Sequence, residues 1–309
     1  MYVICYHNVL ADPLDLFDRA APRLTVERFT RQVEYLSEFF KVLPLPEAIA
    51  RLQSGESTAR VAVVTFDDAY YGVYAYARPA LRRLGIPAAV FAVTTYAEQG
   101  GRMAFAHDET EIAFRLSRVS RVDLDFLGEG GYDLAFESAR IAAMKIAKKH
   151  LKATPVKELP RVRAELFRRL EVAPGGCQEY ARGRETYRQM GWEELRELYE
   201  EGWHIGSHTR THQAVGQADE LALEDEVCGS AADLRARLGI EGAAFAYPYG
   251  EMPHIGVRGP AAARAAGYCC ALTMEPGLND PWTDRFLLRR LPFEHFVYLT
   301  NGDAGAVIG

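Results

Sequence analysis

The stretch that most constrains this chain is Val61-Ala62-Val63-Val64-Thr65-Phe66-Asp67-Asp68. Four apolar, mostly β-branched residues in a row read as a strand buried on both faces, as in a parallel sheet covered by helices. The strand then ends on two adjacent carboxylates. Adjacent carboxylates repel, so a pair kept at a strand end implies two jobs: one can bind a cation while the other stays free as a base. A solvated turn is the commoner origin of a lone Asp-Asp, and only matching partners elsewhere in the chain decide against it.

Strands and helices alternate on both sides of this stretch, which predicts an α/β fold with a mainly parallel sheet. Val3 to Tyr6 is a short strand ending at His7-Asn8, and residues 11–23 read as loop. Thr25 caps a helix through Phe29, Val33, Leu36 and Phe39, and Pro46 opens a short helix that runs to about Gln53. After the Asp pair come a helix to Leu84, closed by Gly85, and a strand from Pro87 to Val93. Further on, Met190–Glu200 is a helix and Trp203–Ser207 a strand that runs straight into His208-Thr209-Arg210-Thr211-His212. A long helix over Leu221–Leu238, a strand over Ala243–Tyr247, a helix over Pro260–Ala266 and a strand over Tyr268–Thr273 complete the alternation. From about 100 to 189 the pattern is helical without intervening strands, with a basic excess in 140–170, so this region reads as a helical insertion within a single domain spanning 1–309. A solvated helical face accounts for most of those charges.

Composition excludes several classes. The chain has 309 residues, 49% of them hydrophobic, and a net charge of -6. That allows one large core and gives no support to nucleic-acid binding. No apolar run approaches the ~18 residues of a membrane span. The five cysteines show no Cys-x-x-Cys spacing, so neither a disulfide framework nor a zinc ribbon is indicated. The N-terminus enters a strand pattern at once with no leader, and together with the unpaired cysteines this predicts a cytoplasmic, reducing setting.

His208 and His212 stand four apart, a spacing that predicts two imidazoles on one side of a helical turn. Two histidines and one carboxylate make the ligand set of a catalytic divalent-metal site with open positions. Zinc leads, with cobalt, nickel, manganese and iron compatible. Four polar groups follow four strands: His7, Asp67-Asp68, His208 to His212, and Tyr247-Pro248-Tyr249-Gly250. This is the layout of a site at the C-terminal face of a parallel barrel or sheet. The cluster His107, Asp108, Glu109 and Glu111 reads as a charged helix start before it reads as a second metal site, and Tyr70, Tyr71, Tyr74 and Tyr76 read as helix packing, with aromatic faces that also suit a ligand subsite.

These residues carry a resemblance. Thr65-Phe66-Asp67-Asp68, Ser207-His208-Thr209-Arg210-Thr211-His212 and Phe245-Ala246-Tyr247-Pro248-Tyr249-Gly250 resemble the first three signature motifs of the polysaccharide deacetylases, the NodB-like carbohydrate esterases. The similarity covers residues 1–95 and 190–295. It implies a distorted (β/α) barrel of about seven strands and metal-assisted hydrolysis of an N-acetyl group on a sugar or sugar conjugate. In family roles, Asp67 is the base, Asp68, His208 and His212 hold one divalent metal ion, and the backbone N–H of Tyr249 is an oxyanion donor.

Two family features are displaced. Where many members carry an Arg before the Pro of the third motif, this chain has Phe245 and Ala246, and Arg290 in Leu288-Arg289-Arg290-Leu291 is the substitute expected to brace the base. The late motif that supplies a histidine acid is poorly matched by His295 in Phe293-Glu294-His295-Phe296. His7 ends an apolar strand as the other site groups do, and Ile4-Cys5-Tyr6-His7 keeps the apolar-x-x-His sense. His7 is therefore the expected general acid, with the first strand standing where the family's last one stands. A deformylase or other C–N amide hydrolase, and a non-catalytic sugar-binding module, are the alternatives. Acetate or formate release separates the first from the deacetylase, and the presence of all three ligands and the base disfavours the module.

Overall fold

The structure, a computed structural model, describes residues 1–12, 14–101 and 103–299. The chain divides into two compact units: Met1–Pro13, Arg23–Gly100 and Gln189–Gly309 form the first, and Leu14–Pro22 with Gly101–Arg188 the second. In chain order the strands are β1 (Tyr2–Tyr6), β2 (Asn8–Leu10), β3 (Arg23–Thr25), β4 (Lys41–Val42), β5 (Val61–Phe66), β6 (Ala88–Ala92), β7 (Arg121–Asp123), β8 (Gly131–Asp133), β9 (His204–Ser207), β10 (Ala244–Ala246) and β11 (Cys270–Leu272).

The first unit is built on a parallel sheet ordered β1-β5-β6-β9-β10-β11, with β4 added beside β5. A stretch after β11 closes it. Leu288 N donates to Ala271 O at 3.0 Å and Thr273 N to Leu288 O at 2.7 Å on one side. On the other, Leu291 N donates to Val3 O at 3.1 Å and Cys5 N to Leu291 O at 3.0 Å. Residues 288–291 thus join β11 to β1 and complete a NodB-like (β/α) barrel, which leaves neither strand with an open edge.

Strand residues sort by period two. Val3, Val61, Val63, Ala89, Phe91, Ala244, Ala246, Cys270, Leu272 and Leu288 form one buried cluster, the barrel interior. The alternate residues Ile4, Ala62, Val64, Phe66, Val90, Ile205, Phe245 and Ala271 pack outward against helix residues such as Phe29, Leu36, Leu81, Leu198 and Leu234. Gly206 of β9 falls on the inner set. A Cβ there would meet the Phe91 ring at 2.5 Å and Ala244 O at 2.7 Å, so glycine is what lets Phe91 fill the interior.

The second unit has helices Ala106–Leu116, Glu137–Ala153, Leu159–Arg169 and Pro174–Ala181 around Ile112, Phe114, Met144, Leu166, Phe167 and Tyr187. It is not purely helical. β7 and β8 pair as an antiparallel hairpin whose three-residue strands are too short to show an alternation. Residues 11–23 are likewise not all loop: Leu16–Ala20 is a helix with an Asp15 capping box, and its Phe17 belongs to the core of this unit. Five residues hold barely more than one helical period, so the composition hid it.

The acids of helix Ala106–Leu116 also differ from expectation. Glu111 is fully buried, taking hydrogen bonds from Tyr187 Oη (3.0 Å), Lys148 Nζ (3.2 Å) and Arg115 Nε (3.3 Å). Glu109 binds Gln178 Nε2 at 2.7 Å and the Arg163 guanidinium. They are an internal ion network rather than a solvated helix start.

Candidate active site

The inner parity of the barrel, continued past the strand ends, predicts which side chains meet at the mouth. Two residues on from Val3 comes Cys5, and then His7. Beyond Val61 and Val63 come Thr65 and Asp67. Beyond Gly206 comes His208, and beyond Leu288 comes Arg290. The structure brings Cys5, His7, Asp67, His208 and Arg290 together.

Asp67 and Asp68 diverge because the backbone turns between them. Asp67 N still donates to Tyr6 O at 2.9 Å, continuing the β1–β5 ladder. Asp68 and Ala69 then take left-handed conformations, with φ 68° and 50°. Among the described residues, seven non-glycine residues have positive φ, and five of them are Asp68, Ala69, Thr209, His212 and Tyr249. Such conformations cost about 1–3 kcal/mol each and persist where surrounding contacts hold them. Here Met190 N holds Ala69 O at 2.7 Å.

Arg290 has no exposed surface, and its two terminal nitrogens each lie 2.7 Å from one oxygen of Asp67. Its Nε donates to Thr273 O at 2.9 Å. Burial alone would push the Asp67 carboxyl up, but Arg290, aided by His208 and His7, outweighs it and holds Asp67 below the usual carboxylate range. Cys5, to which no motif assigned a part in the site, donates its thiol to Asp67 Oδ2 at 3.5 Å. Burial, with Asp67 beside it, raises the Cys5 thiol well above its ordinary value against the pull of Arg290, so it stays protonated. The signal for it was present: Cys5 shares the parity of His7.

Asp68 faces the two histidines. Its Oδ1 lies 3.2 Å from His212 Nε2 and 3.7 Å from His208 Nε2. His208 Nδ1 sits 2.8 Å from Ala246 O, a contact that makes Nδ1 the donor and leaves the lone pair on Nε2. Burial lowers His208 to about 4, against the opposing pull of Asp67, so the ring is neutral. Two donors that share one cation at about 2.1 Å each stand about 3.4 Å apart in tetrahedral geometry. The Asp68, His208 and His212 atoms therefore fit a divalent ion. Cys5, His7 and Asp67 also lie within 4.8 Å of one another, but Arg290 and the Cys5 thiol already bind Asp67.

The four-residue spacing of the histidines has a different origin from the expected one. Residues 208–212 are a loop, with Thr209 at φ 68° and His212 at φ 66°, and the rings meet edge to face at 5.0 Å. Tyr249, at φ 64° after Pro248, sets its ring 5.1 Å from His212 and 5.2 Å from His254. His295 is exposed on the helix Phe293–Leu299. Tyr70 is buried, and Tyr74 donates to Glu197 at 2.5 Å, so these two are occupied by packing and an ion network.

Residues 176–269 match the polysaccharide deacetylase family model, a stretch that contains His208, His212 and Tyr249. The chain is polysaccharide-deacetylase-like. Three solved structures share the fold over nearly its whole length. A Streptococcus pyogenes deacetylase, PplD, in complex with acetate superposes with a TM-score of 0.61 at 15% identity, covering 96% of each chain. IcaB from Ammonifex degensii gives 0.57 at 18%, covering 97% of each. A de-N-acetylase from Aggregatibacter actinomycetemcomitans gives 0.57 at 14%, covering 95% of each. At such identities the likeness is one of fold. No curated protein sequence matches the chain.

Proposed function

We propose that the protein is a metal-dependent hydrolase that removes the N-acetyl group from an N-acetylated sugar or sugar conjugate. The observation that carries this is the division between two neighbouring carboxylates. Asp67 has its charge matched by Arg290, whereas Asp68 faces two imidazoles, one of them held neutral by burial. A divalent cation held by Asp68, His208 and His212 would supply Lewis acidity, polarising the acetyl carbonyl and acidifying the attacking water.

The remaining work falls to the chain's own groups. Asp67, kept ionised and fixed in orientation by Arg290, takes the proton of the attacking water. The backbone N–H of Tyr249 serves as a donor to the oxygen that gains charge as the carbonyl becomes tetrahedral. An amide nitrogen leaves only once protonated, and His7, within 4.8 Å of the Asp67 carboxylate, delivers that proton at its imidazole. The acetate bound in the PplD structure supports acetyl over formyl as the group removed.

The test is mass spectrometry of free, nucleotide-linked, lipid-linked and polymeric N-acetyl sugars incubated with metal-loaded protein. Release of acetate from at least one class, lost in Asp67→Asn, is expected. Formate release from N-formyl analogues with no acetate from any sugar would replace this reading with a deformylase.

A further inference from the structure

Both histidines of the candidate metal centre ride on one five-residue loop that belongs to no strand or helix, so their spacing depends on what holds that loop. Its amide hydrogens can be accounted for one by one. His208 N donates to Ala92 O at 2.8 Å. Thr209 N donates to Ser207 Oγ at 3.1 Å and His212 N to Thr209 Oγ1 at 3.0 Å. The two central amides, Arg210 N (3.0 Å) and Thr211 N (2.9 Å), converge on a single atom, Oε2 of Glu226. The other oxygen of Glu226 accepts the Thr211 hydroxyl.

Glu226 is 3% exposed and belongs to the π-helical turn Asp225–Gly229, where an added residue widens the helix and re-aims its side chains. The same helical segment grips the loop by its side chain: Arg210 Nη1 meets Asp225 at 2.6 Å and Nε meets Asp233 at 3.0 Å. The left-handed residues Thr209 and His212 flank the amides that Glu226 collects. The loop is wrapped around a buried carboxylate much as a backbone nest wraps an anion.

We infer that Glu226 is a positioning residue: it fixes the His208–His212 loop in its cation-ligating conformation and thereby sets metal affinity. This rests on the metal-site reading given above. Glu226 touches neither the donor atoms nor a reacting group. Its influence runs through the two amides between the ligands.

The test is titration of metal-free protein with Zn2+ and Co2+, following binding by competition with a chromogenic chelator and ligand geometry by the visible Co2+ spectrum. Glu226→Ala is expected to weaken binding about 10- to 100-fold and to change the Co2+ spectrum. Glu226→Gln is expected to restore affinity to within a few-fold of wild type, because its amide oxygen can take both backbone amides and its NH2 can reach Thr211 Oγ1. Circular dichroism checks that each variant is folded. If Glu226→Ala does not fold, Glu226→Asp replaces it, keeping the charge but shortened by a methylene, with the same loss expected. Wild-type affinity in Glu226→Ala or Glu226→Asp overturns the inference. So does a Glu226→Gln protein as weak as the alanine variant, because charge rather than hydrogen-bond geometry would then be responsible. A wild-type protein that takes up no cation overturns the reading of the site itself, and this inference with it.

Discussion

Each of the two compact units buries carboxylates, and the two sets differ in what answers them. In the second unit Glu111 is enclosed by a lysine, an arginine and a tyrosine, and Glu109 by an arginine and a glutamine. In the barrel, Asp67 has one arginine on both oxygens, and Asp68 beside it looks onto two histidines. Glu111, tied to three donors of its own unit, is held for architecture, while Asp67 is tied to one arginine beside the candidate metal ligands. A carboxylate set against two imidazoles at a strand end is arranged for a cation brought from outside. Burial alone does not separate structure from chemistry; the partner does.

The strongest way to break this comparison is to remove the imidazoles. The His208→Ala and His212→Ala double variant is expected to lose metal stoichiometry and activity together, read by metal analysis of dialysed protein. Full metal content in that variant would place the site elsewhere. Next in size is Asp67→Asn, expected to keep the metal while kcat falls roughly 10²-fold or more; near-normal turnover would remove Asp67 from the role of base.

Arg290→Met comes third, because it leaves Asp67 buried without its counter-ion. Losing one partner of such a pair costs about 3–5 kcal/mol, measurable by denaturant unfolding at neutral pH. The sign with pH is fixed by the lowered Asp67 value. The pair contributes fully above the ordinary carboxylate pKa of about 4, and the contribution is lost as pH falls through the lowered folded-state value. The gap between wild type and Arg290→Met should therefore narrow in acid; a gap independent of pH would assign the loss to packing. Glu111→Gln, in the second unit, should cost about 1–3 kcal/mol while leaving metal affinity and kcat unchanged. A fall in metal affinity there would erase the distinction between the two sets. The smallest effect belongs to His295→Ala, within about 0.5 kcal/mol and without effect on turnover. His7→Ala, by contrast, should bind metal and substrate but lose most of kcat, and the reverse outcome would move the acid to His295.

How much of this was legible in the sequence depended on length and periodicity. The strands 61–66, 88–92, 204–207, 244–246 and 270–272 fall inside the expected runs, and three of them, 61–66, 204–207 and 244–246, are delivered to a polar cluster. The hairpin of β7 and β8 and the helix Leu16–Ala20 are too short to carry a period. The His208–His212 spacing led to the right pairing of rings by a wrong route, because a loop with two left-handed residues can imitate a helical turn's reach. Arg290 was found from the gap left at Ala246, whereas its depth and its two-pronged grip on Asp67 depend on contacts across 223 residues that no local pattern records. Glu226 sits in a helix that looks ordinary in sequence, and only the π-helical turn aims it at the loop.

The stretch that joins β11 to β1 has a consequence in time as well as in space. A chain is made from its N-terminus, so Asp67 exists long before Arg290 does. Until residues 288–291 emerge, β1 has nothing on its outer side, and the future base has no guanidinium to be buried against. The first strand must wait for the last one. A barrel with this topology cannot mature strand by strand along the ribosome's output, because its most buried ion pair is completed only when residue 290 has been added. A chain stopped at residue 284 would contain every candidate metal ligand and the base, yet it would lack the arginine that answers the base's charge.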